Sequence, residues 1–252
     1  MSFFLWTVKR RTLLLLAALT APAASADAAC RSLEANGARY TVCEFDARQA
    51  SIGLFNLNEQ GEALGSFSAL SSLLQAQGRK LTFAMNGGMF DDRRKPIGLY
   101  VQDGKQMKRL NRRTGPGNFH LKPNGVFYRA GERVGVAETE AYAGLGITPD
   151  FATQSGPMLV VNGKIHPAFS ATGTSRKIRN GVGVKDEHTA IFVISETSVN
   201  FYDFAVLFRD TLACPNALFL DGAISSLYAP EVNRNDNFMA LGPMIGVTEP
   251  AP

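Results

Sequence analysis

The stretch 200–222, NFYDFAVLFRDTLACPNALFLDG, holds two patterns whose combination decides the fold class. Phe201, Phe204, Ala205, Phe208 and Leu212 recur at helical spacing behind Asn200. An asparagine there accepts from the free amides of a first helical turn, and Asp203 sits favourably in that turn. Pro215 has no amide hydrogen to donate and stops the helix. Beyond it, Ala217-Leu218-Phe219-Leu220 is a fully apolar run of strand length that delivers Asp221-Gly222. An apolar helix followed by a buried strand, with a polar residue at the strand's end, is the unit from which the rest can be read.

Outward from this unit the chain is mostly strands. Arg39 to Phe45 alternates, with Tyr40 and Val42 on one face and Arg39 and Thr41 on the other; Ile52 to Leu57 repeats the pattern. Ser66 or Ser68 starts a helix with Leu70, Leu73 and Leu74 as its apolar stripe, and Gly78 ends it. Leu81 to Met85 is a strand running into Asn86-Gly87-Gly88. Turn residues between apolar runs predict hairpins at Asp103-Gly104, Ala130-Gly131, Asn162-Gly163 and around Asp186-Glu187. Many strands with two or three helices predict a single α+β domain around a mixed sheet. No linker or fixed-period repeat divides it.

The amino end reads as an export signal, residues 1–26, leaving a domain at 27–252. Lys9-Arg10-Arg11 precedes the apolar run Leu13–Leu19, Pro22 breaks it, and Ala24-Ser25-Ala26 supplies the small residues a signal peptidase reads. The run is far short of the roughly 20 apolar residues needed to span a bilayer. Cys30 after Ala28-Ala29 suggests a lipidated cysteine, but Asp27 stands where an apolar residue is expected. The expected location is periplasmic or secreted, without a membrane span after cleavage. Removing the three basic residues of that segment takes the net charge of +4 to +1, which leaves no basic patch to imply nucleic acid. The absence of a long apolar patch argues for a monomer. In an oxidising compartment Cys30 and Cys43 are the natural pair, and Cys214 is left odd and buried.

Familiar catalytic signatures are absent: no Gly-x-Ser-x-Gly elbow, no His-Glu-x-x-His, no Walker loop and no Cys-x-x-Cys. Four segments stand out instead. They are Asn86-Gly87-Gly88-Met89-Phe90-Asp91, Gln154-Ser155-Gly156-Pro157-Met158-Leu159, Ser175–Gly183 (SRKIRNGVG) and Leu220-Asp221-Gly222-Ala223-Ile224-Ser225-Ser226. In this order, ending in Leu241-Gly242-Pro243-Met244, they resemble the phosphodiester glycosidase family, and most closely its bacterial exported branch. The resemblance covers roughly Tyr40 to Val247. It departs at one place: Asp221-Gly222-Ala223-Ile224-Ser225 stands where the family's namesake branch has a glycine-rich Asp-Gly-Gly-Gly-Ser stretch.

The resemblance implies hydrolysis of a bond between a sugar's C1 and a phosphate oxygen. A phosphate leaves readily and needs cationic and N–H stabilisation more than protonation. Arg176, Lys177 and Arg179 cluster beside Gly181 and Gly183, so the residues themselves supply such a setting. Arg179, adjoining Asn180-Gly181, is the preferred phosphate ligand; the plain alternative is a solvated basic loop. Asp221, presented by a buried strand, is the candidate nucleophile, base or oxocarbenium stabiliser, or else a turn-forming Asp before Gly. Asn86 is placed to bond a sugar hydroxyl or the phosphate. Gly87, Gly88 and Gly222 are expected to allow positive φ and close approach of a ligand. Ser155 and Gly156 shape the pocket, Ser225 bonds substrate or caps a turn, and Asp91 is a weaker second carboxylate. His120 is an acid/base candidate or a structural imidazole.

No cofactor is demanded. Asp221 or Asp91 would hold a divalent cation if one were used, but no ligand spacing argues for it. The expected partner is a glycan or glycosyl phosphate. Two rival readings are a non-catalytic protein binding an anionic glycan in exopolysaccharide assembly, and a serine hydrolase built on Ser155 and His166.

Overall fold

The computed structural model describes Met1 and residues 29–251, so the export signal expected at residues 1–26 lies, Met1 apart, outside the described residues. In chain order the elements are β1 (Cys30–Ala35), β2 (Ala38–Asp46), β3 (Ser51–Phe55), α1 (Phe67–Ala76), β4 (Arg79–Asn86), β5 (Tyr100–Gln102) and β6 (Lys105–Lys108). Then come β7 (Gly125–Ala130), β8 (Arg133–Glu138), α2 (Thr139–Gly144), β9 (Phe151–Ser155), β10 (Met158–Val161), β11 (Lys164–Ile165) and β12 (Asn180–Val184). The chain closes with β13 (Thr189–Ser195), α3 (Phe201–Val206), β14 (Asn216–Phe219), β15 (Leu227–Ala229), β16 (Arg234–Asn235) and β17 (Met244–Pro250).

The strands form three sheets, in the orders β1-β2-β13-β12-β14-β10-β11, β16-β15-β4-β17-β3 and β6-β5-β9-β7-β8. The α+β reading holds, with the strands divided among three sheets and each described pairing antiparallel. The predicted turns supply much of that pairing. Asp103-Gly104 and Asn162-Gly163 take positive φ at both residues, the geometry that matches the twist of the flanking strands. β1 was not foreseen, although Asn36-Gly37 joins it to β2 with the same two positive φ values.

The inner faces of the three sheets share one core. Phe83 of the second sheet, Phe127 of the third and Phe192 of the first meet there, with ring centroids 5.1 Å (Phe83–Phe192) and 5.7 Å (Phe127–Phe192) apart. Each sheet's outer face is covered by a helix. Phe204 of α3, with Phe208 just beyond it, packs on the first sheet. Leu70 and Leu74 of α1 pack on the second, and Tyr142 of α2 meets Tyr128 of the third at 5.4 Å. The first sheet is therefore apolar on both sides: Ala190, Phe192 and Ile194 of β13 face the shared core, while Ile191 and Val193 face α3. This explains why its strands read as continuous apolar runs.

The caps fall as the residue types require. The Ser66 hydroxyl accepts from Ala69 N at 3.1 Å, and Asn200 Oδ1 accepts from Asp203 N at 2.7 Å. α3 gives way to a wider turn over Leu207–Thr211 before Pro215. Cys30 and Cys43 stand opposite each other on β1 and β2 and are joined by a disulfide; Cys214 is free and buried. With its sulfur in that bond, Cys30 has none to offer a lipid. No helix among the described residues is long and apolar enough to cross a membrane.

Candidate functional site

The three sheets meet at one corner, and most of the predicted site residues are brought together there. Asn86 closes β4 of the second sheet, Asn180 opens β12 of the first, Asp221 follows β14, and Ser155 closes β9 of the third. Asn86 and Asn180 are fully buried and bonded to each other, Asn180 Nδ2 donating to Asn86 Oδ1 at 2.8 Å. The same Asn86 oxygen accepts from Ser226 N at 2.8 Å. Asn86 Nδ2 donates to the Asp221 carbonyl at 3.0 Å, while Asn180 Oδ1 accepts from Asp221 N at 3.3 Å. The pair thus grips the Asp221 peptide by both its N–H and its C=O. Ser155 Oγ donates to the neighbouring Leu220 carbonyl at 2.6 Å, and Ser225 Oγ reaches Asn180 Oδ1 at 3.4 Å. Asparagines suit this duty because one amide both donates and accepts.

The grip leaves the Asp221 side chain as the group on offer. Its carboxyl is half-buried and held above the usual carboxylate range, because burial disfavours the ionised form. One hydrogen bond from Ala223 N, at 3.1 Å, works the other way. The departure from the glycine-rich pattern has a structural role here: Ile224 is buried in the apolar cluster beneath α1 and anchors the loop.

Arg179 is 2% exposed. Its guanidinium lies over the Phe201 ring, 3.6 Å from the centroid, and 5.6 Å from that of Phe219. Nε donates to Val199 O at 3.0 Å and Nη2 to Ser175 O at 2.9 Å. No acidic side chain among the described residues pairs with it. Burial lowers its pKa to about 10, so it stays a cation at neutral pH. A buried cation held only by carbonyls and aromatic faces is stable in place yet keeps its charge uncompensated. A methyl group on Gly222 would meet that same Phe219 ring, so the Asp221 loop runs close to an aromatic side chain that also borders the guanidinium.

Other expectations are corrected. None of Gly87, Gly88 and Gly222 has positive φ. A methyl group on Gly88 would stand 2.5 Å from Gln154 O and Thr153 Oγ1, and one on Gly222 2.6 Å from the Phe219 ring. On Gly156 it would stand 2.8 Å from Phe119 O, and on Gly87 3.2 Å from Pro243 O. The close approach these glycines permit is to the chain's own packing. Asp91 caps its own loop, accepting from Arg93 N and Lys95 N at 2.9 Å, and does not join the cluster. Arg176 is exposed and paired with Asp203 at 3.3 Å. Ser155 and His166 are not partners: Ser155 bonds Leu220, and His166 Nδ1 accepts from Ala168 N. His120 Nδ1 is spent on Arg113 O at 3.1 Å.

Beside the Asp221 loop opens a cleft of about 360 Å³, lined by Gly222 to Ser226 together with Ser195, Glu196, Arg234 and Asp236. The last three form an ion-pair cluster that the sequence reading missed, since Glu196 and Arg234 are far apart along the chain and neither belongs to a motif. A larger cleft of about 650 Å³, around Glu44 and Glu231, contains none of the predicted site residues.

The same fold occurs in solved structures. The zebrafish N-acetylglucosamine-1-phosphodiester alpha-N-acetylglucosaminidase catalytic domain, auto-inhibited by its pro-peptide, superposes with a TM-score of 0.59 at 16% identity, over 86% of this chain and 81% of that one. A hypothetical protein from Synechocystis gives 0.51 at 15% identity, over 87% and 61%. The phosphodiester glycosidase family model matches residues 79–248, and the chain belongs to that family. An uncharacterized Escherichia coli K12 protein, YigE, is 40% identical over 189 residues, which span 75% of this chain and 72% of that protein.

Proposed function

We propose that this chain is an exported hydrolase that cleaves the C1–O bond of a glycosyl phosphodiester in envelope or extracellular glycans. The observation that carries the reading is Arg179, a buried guanidinium that no acidic side chain among the described residues pairs with, followed directly in the chain by Asn180, which clamps the half-buried Asp221. A phosphate brought to such a cation gains charge-assisted, two-pronged hydrogen bonds and relieves an unpaired buried charge. In the reaction the C1–O bond breaks, the phosphate monoester departs with the bonding electrons, and water supplies the new C1–OH. Asp221 either takes the proton of the attacking water or adds to C1 before water replaces it. Asn86 and Asn180 act as positioning residues, because their amides are occupied in holding the Asp221 peptide. Export is supported by the basic and apolar amino-terminal segment and by a disulfide close behind it.

Release of free sugar from UDP-N-acetylglucosamine or an aryl glycosyl phosphodiester tests the reading. Asp221→Asn and Arg179→Ala should each lower kcat/KM by about 10³-fold or more, the scale for losing a general base or a charge-stabilising donor. No turnover across a panel of glycosyl phosphodiesters, with glycan binding retained, would replace it with the second reading, a non-catalytic binder of anionic glycans. That rival is favoured by one observation: Asp91, the other carboxylate weighed for the site, is turned to its own loop.

A further inference from the structure

The cleft beside the Asp221 loop differs in chemistry from the Arg179 side. Its charged groups already balance one another: Arg234 Nη1 bonds both Glu196 oxygens at 2.6 Å, and Nε bonds Asp236 at 2.9 and 3.0 Å. Two carboxylates to one guanidinium leave it unattractive to a phosphate. Ser225 and Ser226 line the same cleft, and the Ser225 hydroxyl makes only long contacts of 3.4 Å, to Ile178 O and Asn180 Oδ1. At the lip stand Phe238 and Met239, 82% and 57% exposed. Phe238 is the one large exposed aromatic among the described residues. A ligand with an apolar face would remove both Phe238 and Met239 from water by settling at the mouth of the cleft.

We infer that this cleft is a glycosyl subsite that receives one pyranose ring, with Phe238 as the platform on which the ring stacks. The inference rests on the proposed function for the identity of the ligand, and it adds the place and the residues that recognise its sugar. A pyranose has one apolar C–H face, suited to the negatively polarised face of a phenyl ring. Its rim of hydroxyls both donates and accepts, which matches fixed carboxylates and a guanidinium better than apolar walls. The volume fits one ring and little more, since whole ligand sites run from about 300 to 1,000 Å³. The Gly222–Ser226 segment follows Asp221 directly, so a ring held in the cleft lies beside the loop that carries the proposed catalytic carboxyl.

The experiment is calorimetric binding to the full chain carrying Asp221→Asn, which separates recognition from turnover. The probes are UDP linked to N-acetylglucosamine, glucose or galactose, with UDP alone as the sugarless control. The expected result is that at least one UDP-sugar binds more tightly than UDP, that Phe238→Ala removes this advantage by about 10-fold, and that Phe238→Tyr restores it while UDP affinity stays constant. Equal weakening of UDP and UDP-sugar in Phe238→Ala, no weakening, or no preference for any sugar would overturn the subsite. Loss of the sugar advantage in Phe238→Ala, alongside a wild type that hydrolyses none of these compounds, would uphold the subsite and defeat the hydrolase reading instead.

Discussion

Asp221 carries a burden in the folded state that can be measured without any substrate. Its carboxyl pKa is raised by burial above the ordinary value of 3.8, so the native chain holds this proton more tightly than the unfolded chain does. Below 3.8 both states are protonated and the burden is absent. As pH rises from there through the raised folded value, the native state must give up the proton, and stability falls. Asp221→Asn should therefore melt above the wild type at pH 7, and the gap should close as pH drops below the ordinary carboxylate value. Thermal melts across that range check it; equal melting temperatures at pH 7 would show that the carboxyl is not under strain. Arg179 gives a companion expectation. Inorganic phosphate present at 100 times its dissociation constant should stabilise the wild type by about 2.7 kcal/mol, and the gain should vanish in Arg179→Ala. Arg179→Lys keeps the charge but loses the planar stack on Phe201, so it should retain only part of the gain.

At the scale of elements, the contacts between strand ends matter more than the strands themselves. Gly88→Ala would drive a methyl group into the backbone of β9 and should cost about 1–3 kcal/mol by forcing the second and third sheets apart. Asn86→Ala leaves Asn180 Nδ2 and Ser226 N without that side-chain oxygen and should cost about 2 kcal/mol. Urea titration reads both. What was legible in the sequence divides along the same line. Local signals were legible: the caps at Ser66 and Asn200, the turns at Asp103-Gly104 and Asn162-Gly163, and the alternation of Tyr40 and Val42 each depend on neighbours a few residues away. The Asn86–Asn180 bond joins residues 94 apart, and no periodicity foretells it. The site glycines were singled out for their position but misread in purpose, because a crowded glycine and a positive-φ glycine look alike in one sequence. The Phe201 ring was legible only as part of a helical apolar spacing, and its role under Arg179 depends on a residue 22 positions away. Phe238 carried no signal at all, since an exposed aromatic is visible only once burial is known.

Over the whole molecule, stability comes from one core shared by three sheets and from a covalent link at its edge. The Cys30–Cys43 bond closes a loop across 13 positions, and losing it should cost about 3 kcal/mol in the chain-entropy model. Cys30→Ser with Cys43→Ser should lower the urea midpoint accordingly, while reductant should leave the double variant unchanged. The link also fastens the point where the amino-terminal segment joins the domain, since Cys30 N donates to Glu231 Oε1 at 2.7 Å. The corner that gathers Asn86, Asn180, Asp221 and Ser155 draws on all three sheets, and this has a consequence for how the protein comes into being. A chain whose second sheet has not docked on the first lacks the Asn86–Asn180 clamp, and one whose third sheet is undocked lacks the Ser155 bond to Leu220, so the corner is complete only when all three have docked. The last docking event, whichever sheet makes it, is the one that finishes the cluster.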